Sequence, residues 1–204
     1  MLVRSLVAMI FSAVLCAAAT AGSVERCHSE DPGVAIRACT ALIKAGDSHV
    51  DFLGTHYGFR ALAYFRDGQY AKAIPDIFSA MTRTNDVNQR AILLRLRAQA
   101  YFHLNDYPHA ITDYTELMRL HPADHRSYND RAYLYLKTKN YPAAIVDYSV
   151  ALDKEPNIAQ ALFGRGLAKR ANGDIAGASN DMARAKAIEG DIADSFADID
   201  AATR

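Results

Sequence analysis

Tryptophan is absent from this 204-residue chain, cysteine occurs three times, and the positive and negative side chains cancel at 23 each. A formal net charge of zero removes the bulk electrostatic signature of a nucleic-acid binder, so any electrostatic signal must lie in where the charges sit. Proline (six) and glycine (eleven) are sparse and fall between apolar periodic segments, which suits helices joined by short turns. Catalytic signatures are missing too. No Gly-x-Ser-x-Gly elbow occurs. Gly164-Arg165-Gly166 has none of the remainder of a phosphate loop. Cys27 and Cys39 stand twelve positions apart, unlike the Cys-x-x-Cys redox pattern. What is present fits a soluble globular protein: half the residues are hydrophobic, 23% are charged and tyrosine occurs eleven times. The length asks for one ordinary domain.

The first residues look like an address. Arg4 supplies one positive charge, an apolar run extends from Leu6 to Ala19, and Ala19-Thr20-Ala21 forms the small-x-small pattern of a signal-peptidase site. Residues 1–21 are therefore expected to be a signal peptide cut after Ala21, which places the protein in the periplasm or outside the cell. An uncleaved anchor is the alternative, although the run is short for a span of ~20 residues. A lipoprotein would use Cys16, but Leu15 is too large for that processing site. Cleavage leaves Cys27 and Cys39, an even pair in an exported chain. They are expected to form a disulfide, with two free buried thiols as the alternative.

Internal repetition organises the rest. The segment from Leu94, LRLRAQAYFHLNDYPHAITDYTELMRLHP, returns 34 positions later from Tyr128 as YNDRAYLYLKTKNYPAAIVDYSVALDKEP. Arg97 aligns with Arg131, Ala98 with Ala132, Tyr101 with Tyr135, Ala110-Ile111 with Ala144-Ile145 and Asp113-Tyr114 with Asp147-Tyr148. The register continues through Arg165, Gly166, Ala178, Asp181 and Ala185, and upstream through Tyr57, Arg60, Ala61, Tyr64, Ala73, Asp76 and Ala80. Each unit predicts two helices. Tyr128, Ala132 and Tyr135 mark the first and Ala144, Ile145, Tyr148 and Leu152 the second. A break such as Lys139-Asn140 separates them, with Pro142 at a position that a helix start tolerates.

Tyr128, Ala132, Tyr135, Ala144, Tyr148, Ala151 and Pro156 together resemble the tetratricopeptide-repeat (TPR) family. The resemblance covers residues 54–192 in four units: 54–87, 91–124, 125–158 and 159–192. The first lacks the closing proline. The fourth has Gly166 for alanine, Lys169 for the aromatic and no closing proline, as terminal repeats often do. The resemblance implies an all-α fold, an α-solenoid (TPR superhelix) of antiparallel helix pairs. Residues 22–53 read as a partial N-terminal repeat, with Ala35 and Cys39 in the alanine and aromatic places. A Cys27–Cys39 bridge would staple it. Residues 193–204 read as a C-terminal capping helix. Its apolar stripe, Ile192, Phe196 and Ile199, would cover the last repeat while Asp191, Asp194, Asp198 and Asp200 face water.

Two patterns compete for function. Arg60, Arg97, Arg131 and Arg165 recur together with Asp76, Asp113, Asp147 and Asp181. They form either a ligand-binding ladder or, as the strict co-occurrence of both signs favours, structural ion pairs across each hairpin. By the resemblance, the first helices line a concave groove containing Arg95, Gln99, Phe102, Arg126, Asn129, Tyr133, Lys137, Phe163 and Arg170. Its formal charges are positive, so it is expected to hold a protein or peptide partner, acidic ones included. The alternative is a merely solvated helix face. Gly58, Leu62 and Asp130 occupy places where a carboxylate-clamp TPR needs lysines and asparagines, so no clamp is expected. Basic aromatic grooves also suit single-stranded nucleic acid, a partner that export disfavours. His121 and His125 are separated by Pro122 across a turn, so no metal is expected, nor any cofactor or small-molecule substrate. The chain reads as a non-catalytic scaffold. The alternative function is a small accessory enzyme or thiol-disulfide protein using Cys27 and Cys39.

Overall fold

The computed structural model describes residues 22–46 and 50–202. The expected signal peptide lies outside the described residues. Residues 22–27 are helical (α1), followed by α2 (Pro32–Ala45), α3 (Val50–Arg66), α4 (Tyr70–Met81) and α5 (Val87–His103). Then come α6 (Tyr107–Leu120), α7 (His125–Lys137), α8 (Tyr141–Lys154), α9 (Ala159–Ala171) and α10 (Ile175–Ile188). A 3-10 turn, Asp194–Phe196, leads into α11 (Ala197–Ala202). No strand occurs among the described residues. The all-α fold of consecutive helix pairs is the one the repeat pattern implies. Among the described residues no helix is long and apolar enough to cross a membrane.

The chain forms two compact units rather than the single domain its length suggested. One ends at Leu104 and the other begins at Asn105, so the boundary cuts the second repeat between its helices. In unit 1, α2, α3, α4 and α5 pack in succession, and in unit 2 α6 through α10 do the same. The first helix of the first full repeat, α3, runs from Val50 to Arg66.

Local chemistry explains the helix ends. Asp31, Asp86, Asp106, Asp124, Asn140 and Asp174 each accept a hydrogen bond from a backbone N–H of the following first turn. Pro32, Pro108 and Pro142 sit in first turns, where their missing N–H costs nothing. One residue in each hairpin turn is left-handed, always at the same register: Gly68 (φ 71°), Asn105 (φ 59°), Lys139 (φ 61°) and Gly173 (φ 92°). Glycine and asparagine tolerate that region; lysine does not do so readily.

Small residues set the helix spacing. Ala61, Ala98 and Ala132 on first helices and Ala73, Ala110 and Ala144 on second helices are fully buried. Gly166 replaces the alanine for a reason of space. A Cβ there would lie 2.8 Å from Met182 Cγ and 3.1 Å from the Ala178 carbonyl oxygen. Gly164 is a second close approach, since a Cβ would collide with the ring and hydroxyl of Tyr148. Tyr148 is fully buried, and its hydroxyl has no hydrogen-bond partner among the described residues.

The arginines and aspartates lock hairpins. Arg60 holds Asp76 through two bonds of 2.6 and 2.7 Å. Arg131 holds Asp147 at 2.7 and 2.9 Å, and Arg165 holds Asp181 at 2.7 and 2.8 Å. These bidentate forks lie inside the units, with the aspartates buried, so they serve packing and not a ligand ladder. Arg97 belongs to unit 1 and Asp113 to unit 2. Each of the three guanidinium groups also reaches the preceding second helix. Arg60 donates to Thr40 Oγ1, Arg131 to Thr115 Oγ1 and Arg165 to Ser149 Oγ. One side chain thereby ties three helices.

The two chain ends close differently. Cys27 and Cys39 lie with their sulfurs 2.03 Å apart and Cα atoms 4.7 Å apart, in a small core with Leu42, Val24, Ala38 and Phe59. At the C-terminus, Ile192, Phe196 and Ile199 are buried as the stripe predicted. They join a core cluster that runs through α7, α8, α9 and α10, and Phe196 packs against Tyr133 on α7 (5.7 Å between ring centres) and Phe163 on α9 (5.4 Å). The element is also not one continuous helix, because a 3-10 turn at Asp194–Phe196 turns the chain back onto these first helices.

Candidate functional site

The nine expected groove side chains divide between the units. Arg95, Gln99 and Phe102 lie on α5 in unit 1, all partly exposed. On this helix the spacing of three and four residues places them along one stripe. Near its end, His103 stacks on Tyr70 (4.3 Å) and meets Phe65 edge-on (5.7 Å), which fixes the aromatic surroundings of Phe102.

The other six lie on α7 and α9 in unit 2, and the structure corrects how they were expected to present themselves. Arg126 is exposed and Arg170 half-buried. Asn129 is buried; its Nδ2 donates to Gln160 Oε1 across the two helices at 3.2 Å, and its Oδ1 has no hydrogen-bond partner among the described residues. Phe163 is buried under Phe196 rather than open to a partner. Tyr133 is flanked by Phe196 and by the Lys137 ammonium, 6.0 Å from its ring centre. Burial pushes the Tyr133 hydroxyl above its ordinary pKa. Lys137 Nζ donates to Asp198 Oδ2 at 2.6 Å. That bond holds the Lys137 ammonium above, and the Asp198 carboxyl below, their ordinary values. Tyr133, Lys137 and Phe163 are thus brought together, but by the protein's own C-terminal segment.

The remaining charges sort by depth. At Asp181, burial pushes the carboxyl up, but hydrogen bonds from Arg165 and Lys169 outweigh it and hold the group below its usual range. Lys169 is 2.8 Å from Asp181, so the cation in the aromatic's place supports the buried pair. Asp113 and Asp147, counted among the acids of the second helices, are buried and add no negative charge to the surface. Glu116 is part-exposed and bonds Arg119 one turn on. His121 ends α6 and His125 opens α7, on either side of the turn. The hydroxyls that serve the arginines were missed in the sequence, although Thr115 and Ser149 stand 34 positions apart like the other repeated residues.

Residues 95–157 match the profile of the tetratricopeptide repeat. That segment carries the repeat. A curated relative is the heat shock protein sti1 homolog of Schizosaccharomyces pombe, 27% identical over 152 residues, or 62% of this chain. The match spans about a quarter of that relative's length (26%). Among solved structures, MamA superposes with a TM-score of 0.72 at 20% identity, over 86% of this chain and 94% of its own. YrrB, described as a TPR protein with an unusual peptide-binding site, gives 0.69 at 14% identity over 82% and 84%. At those identities the likeness is one of fold. The first TPR of Spaghetti (RPAP3), solved with an HSP90 peptide, is 26% identical with a TM-score of 0.50, over 56% of this chain and 93% of its own.

Proposed function

We propose that this TPR chain is a non-catalytic adaptor that holds a peptide or short helix of a partner protein on its first-helix faces. The observation that carries the proposal is the charge and shape of those faces. Within unit 1, Arg95 and Phe102 share one stripe of α5; within unit 2, Arg126 is exposed on α7 and Lys137 lies 6.0 Å from the Tyr133 ring centre on the same helix. Rigid helices present such side chains at little entropic cost. The fold supports this use: the Spaghetti TPR was solved bound to the peptide SRMEEVD, whose acids outnumber its one base. A basic face suits a partner of that character.

Location and redox state belong to the same proposal. Residues 1–21 act as a cleaved signal, and Cys27 and Cys39 form a bridge in an oxidising exported compartment. The position of the two sulfurs supports the bridge. Burial argues against thiol exchange as the function, since both cysteines are about 1% exposed or less and an incoming thiolate needs access.

Affinity capture with the mature protein, followed by titration of the captured segment at two salt concentrations, tests the proposal. Arg126→Glu is expected to weaken binding more than Glu116→Lys, and added salt to weaken it further, because exposed charges are screened beyond ~8–10 Å. A segment that binds best when Glu116 is intact and ignores Arg126 would place the partner on the second helices instead.

A further inference from the structure

The C-terminal segment has the chemistry of a ligand. It is short, acidic on one side and apolar on the other: Asp191, Asp194 and Asp198 are exposed, while Ile192, Phe196 and Ile199, spaced four and three apart, are buried. It rests on unit 2's first helices and touches them through an aromatic contact to each, Tyr133 on α7 and Phe163 on α9. Leu136 on α7 and Leu167 on α9 are buried in the same core cluster as Ile192, Phe196 and Ile199. One ion pair, Lys137 to Asp198, fixes its end.

We infer that residues 191–202 are an intramolecular stand-in for the partner, and that the α7–α9 face takes an acidic amphipathic segment, turn then short helix, with apolar side chains at i, i+4 and i+7. This deepens the adaptor proposal and rests on it. The seat explains the recognition. The Tyr133 and Phe163 rings meet the central aromatic of the apolar stripe, and Lys137 selects a carboxylate two positions after it. The hold is of the exchangeable kind. α11 is six residues long, too short to be stable alone, so its order comes from docking. Its link from α10, Glu189 to Asp191, is exposed. Its polar latch includes the Lys137–Asp198 pair, whose Asp198 side chain is 63% exposed. A tethered segment competes at an effective concentration on the order of millimolar. The partner therefore binds only when it is better matched or locally concentrated.

The test uses a fluorescent peptide of residues 190–202, GDIADSFADIDAA, as its probe. It is titrated against the mature chain, a chain ending at Gly190, and the full-length variants Phe196→Ala and Asp198→Lys. The peptide is expected to bind the truncated chain at least about ten-fold tighter than the mature one. Both full-length variants should also bind it more tightly than the mature chain, and a peptide with alanine at its phenylalanine should fail. Asp198→Lys alters an exposed carboxylate and leaves the core intact, so the result does not depend on the truncated chain remaining folded. If opening the seat in any of these forms brings no gain in peptide binding, the segment is a permanent cap and the inference is overturned. A captured partner that binds mature and truncated chains equally, and is not displaced by the peptide, overturns the inference while leaving the adaptor proposal standing. Peptide binding without any captured partner supports the seat and counts against the adaptor proposal alone.

Discussion

The two ends of this repeat array solve one problem by different means. A terminal hairpin has a neighbour on one side only, so its other face must be covered. Unit 1 covers its end with α1 and α2 around the paired sulfurs of Cys27 and Cys39. Unit 2 lays Ile192, Phe196 and Ile199 back over α7 and α9 and latches them with one ion pair. A covalent staple, as proposed for the cysteines, would confer permanence, whereas the non-covalent segment 191–202 can leave. Closure at one end is then structural, and at the other it coincides with the surface proposed to receive a partner.

Substitutions can break this comparison at different depths. The largest effect should fall inside unit 2, independent of its tail. Removing Asp147 strands the buried Arg131 fork and should cost about 3–4 kcal/mol. Arg131→Ala should cost a similar amount, and the double change less than the sum, measured by urea unfolding as a cycle. Strict additivity would mean that the pair is not coupled.

Next comes the staple. Cys27→Ser with Cys39→Ser should cost about 3 kcal/mol from loop-closure entropy, with amide exchange rising in α1 and α2 and unchanged in α8 to α10. Unaltered free-thiol titres with and without reductant would remove the bridge from the comparison.

Phe196→Ala should cost about 1.5–3 kcal/mol, the loss of one buried aromatic, and the exchange pattern should invert: residues 192–202 become labile while α2 stays protected. Equal labilisation of both ends would mean that the units are not distinguished in this way.

The tail latch also has a pH window. The folded Asp198 carboxyl is held below its ordinary value, so its contribution is complete above about pH 4 and fades as pH falls further. Lys137 is held above its ordinary value, so its contribution is complete below about pH 10 and fades as pH rises through the folded value. Amide exchange of residues 192–202 should stay flat between those limits and rise outside them; a change near pH 6–7 would point to another group. The smallest expected effect is a gain. Lys139→Gly relieves a left-handed lysine and should stabilise unit 2 by about 0.5–1 kcal/mol in thermal melts, leaving peptide binding unchanged.

Repetition made much of this visible beforehand. The register of 34 residues placed Ala132, Ala144 and Pro142 correctly, and the joint recurrence of Arg131 and Asp147 pointed to their pairing. Features that occur once had no such support. Lys137 and Asp198 are 61 positions apart, and no periodicity marks a segment folding back on its own array. Gly164 was visible only as a failed phosphate loop, because the ring it accommodates comes from Tyr148 on another helix. Phe163 and Tyr133 were placed on the first-helix face by register, yet their burial depends on a tail outside the repeat.

The arginine that ties three helices has a consequence for how such a chain can grow. Arg131 meets Thr115 behind it and Arg165 meets Ser149, and the two hydroxyls do the same work at the same register. If residues 125–158 were lost from the gene as one 34-codon block, Arg165 would arrive beside Thr115 and find an equivalent acceptor. Insertion of a copied block would preserve the match equally. Loss of another number of codons would bring a different register position opposite the guanidinium, and the repeated hydroxyl would be out of place. The fork therefore acts as a phase mark for recombination: arrays may change length only in whole repeats, at any breakpoint, without a second mutation to repair the junction.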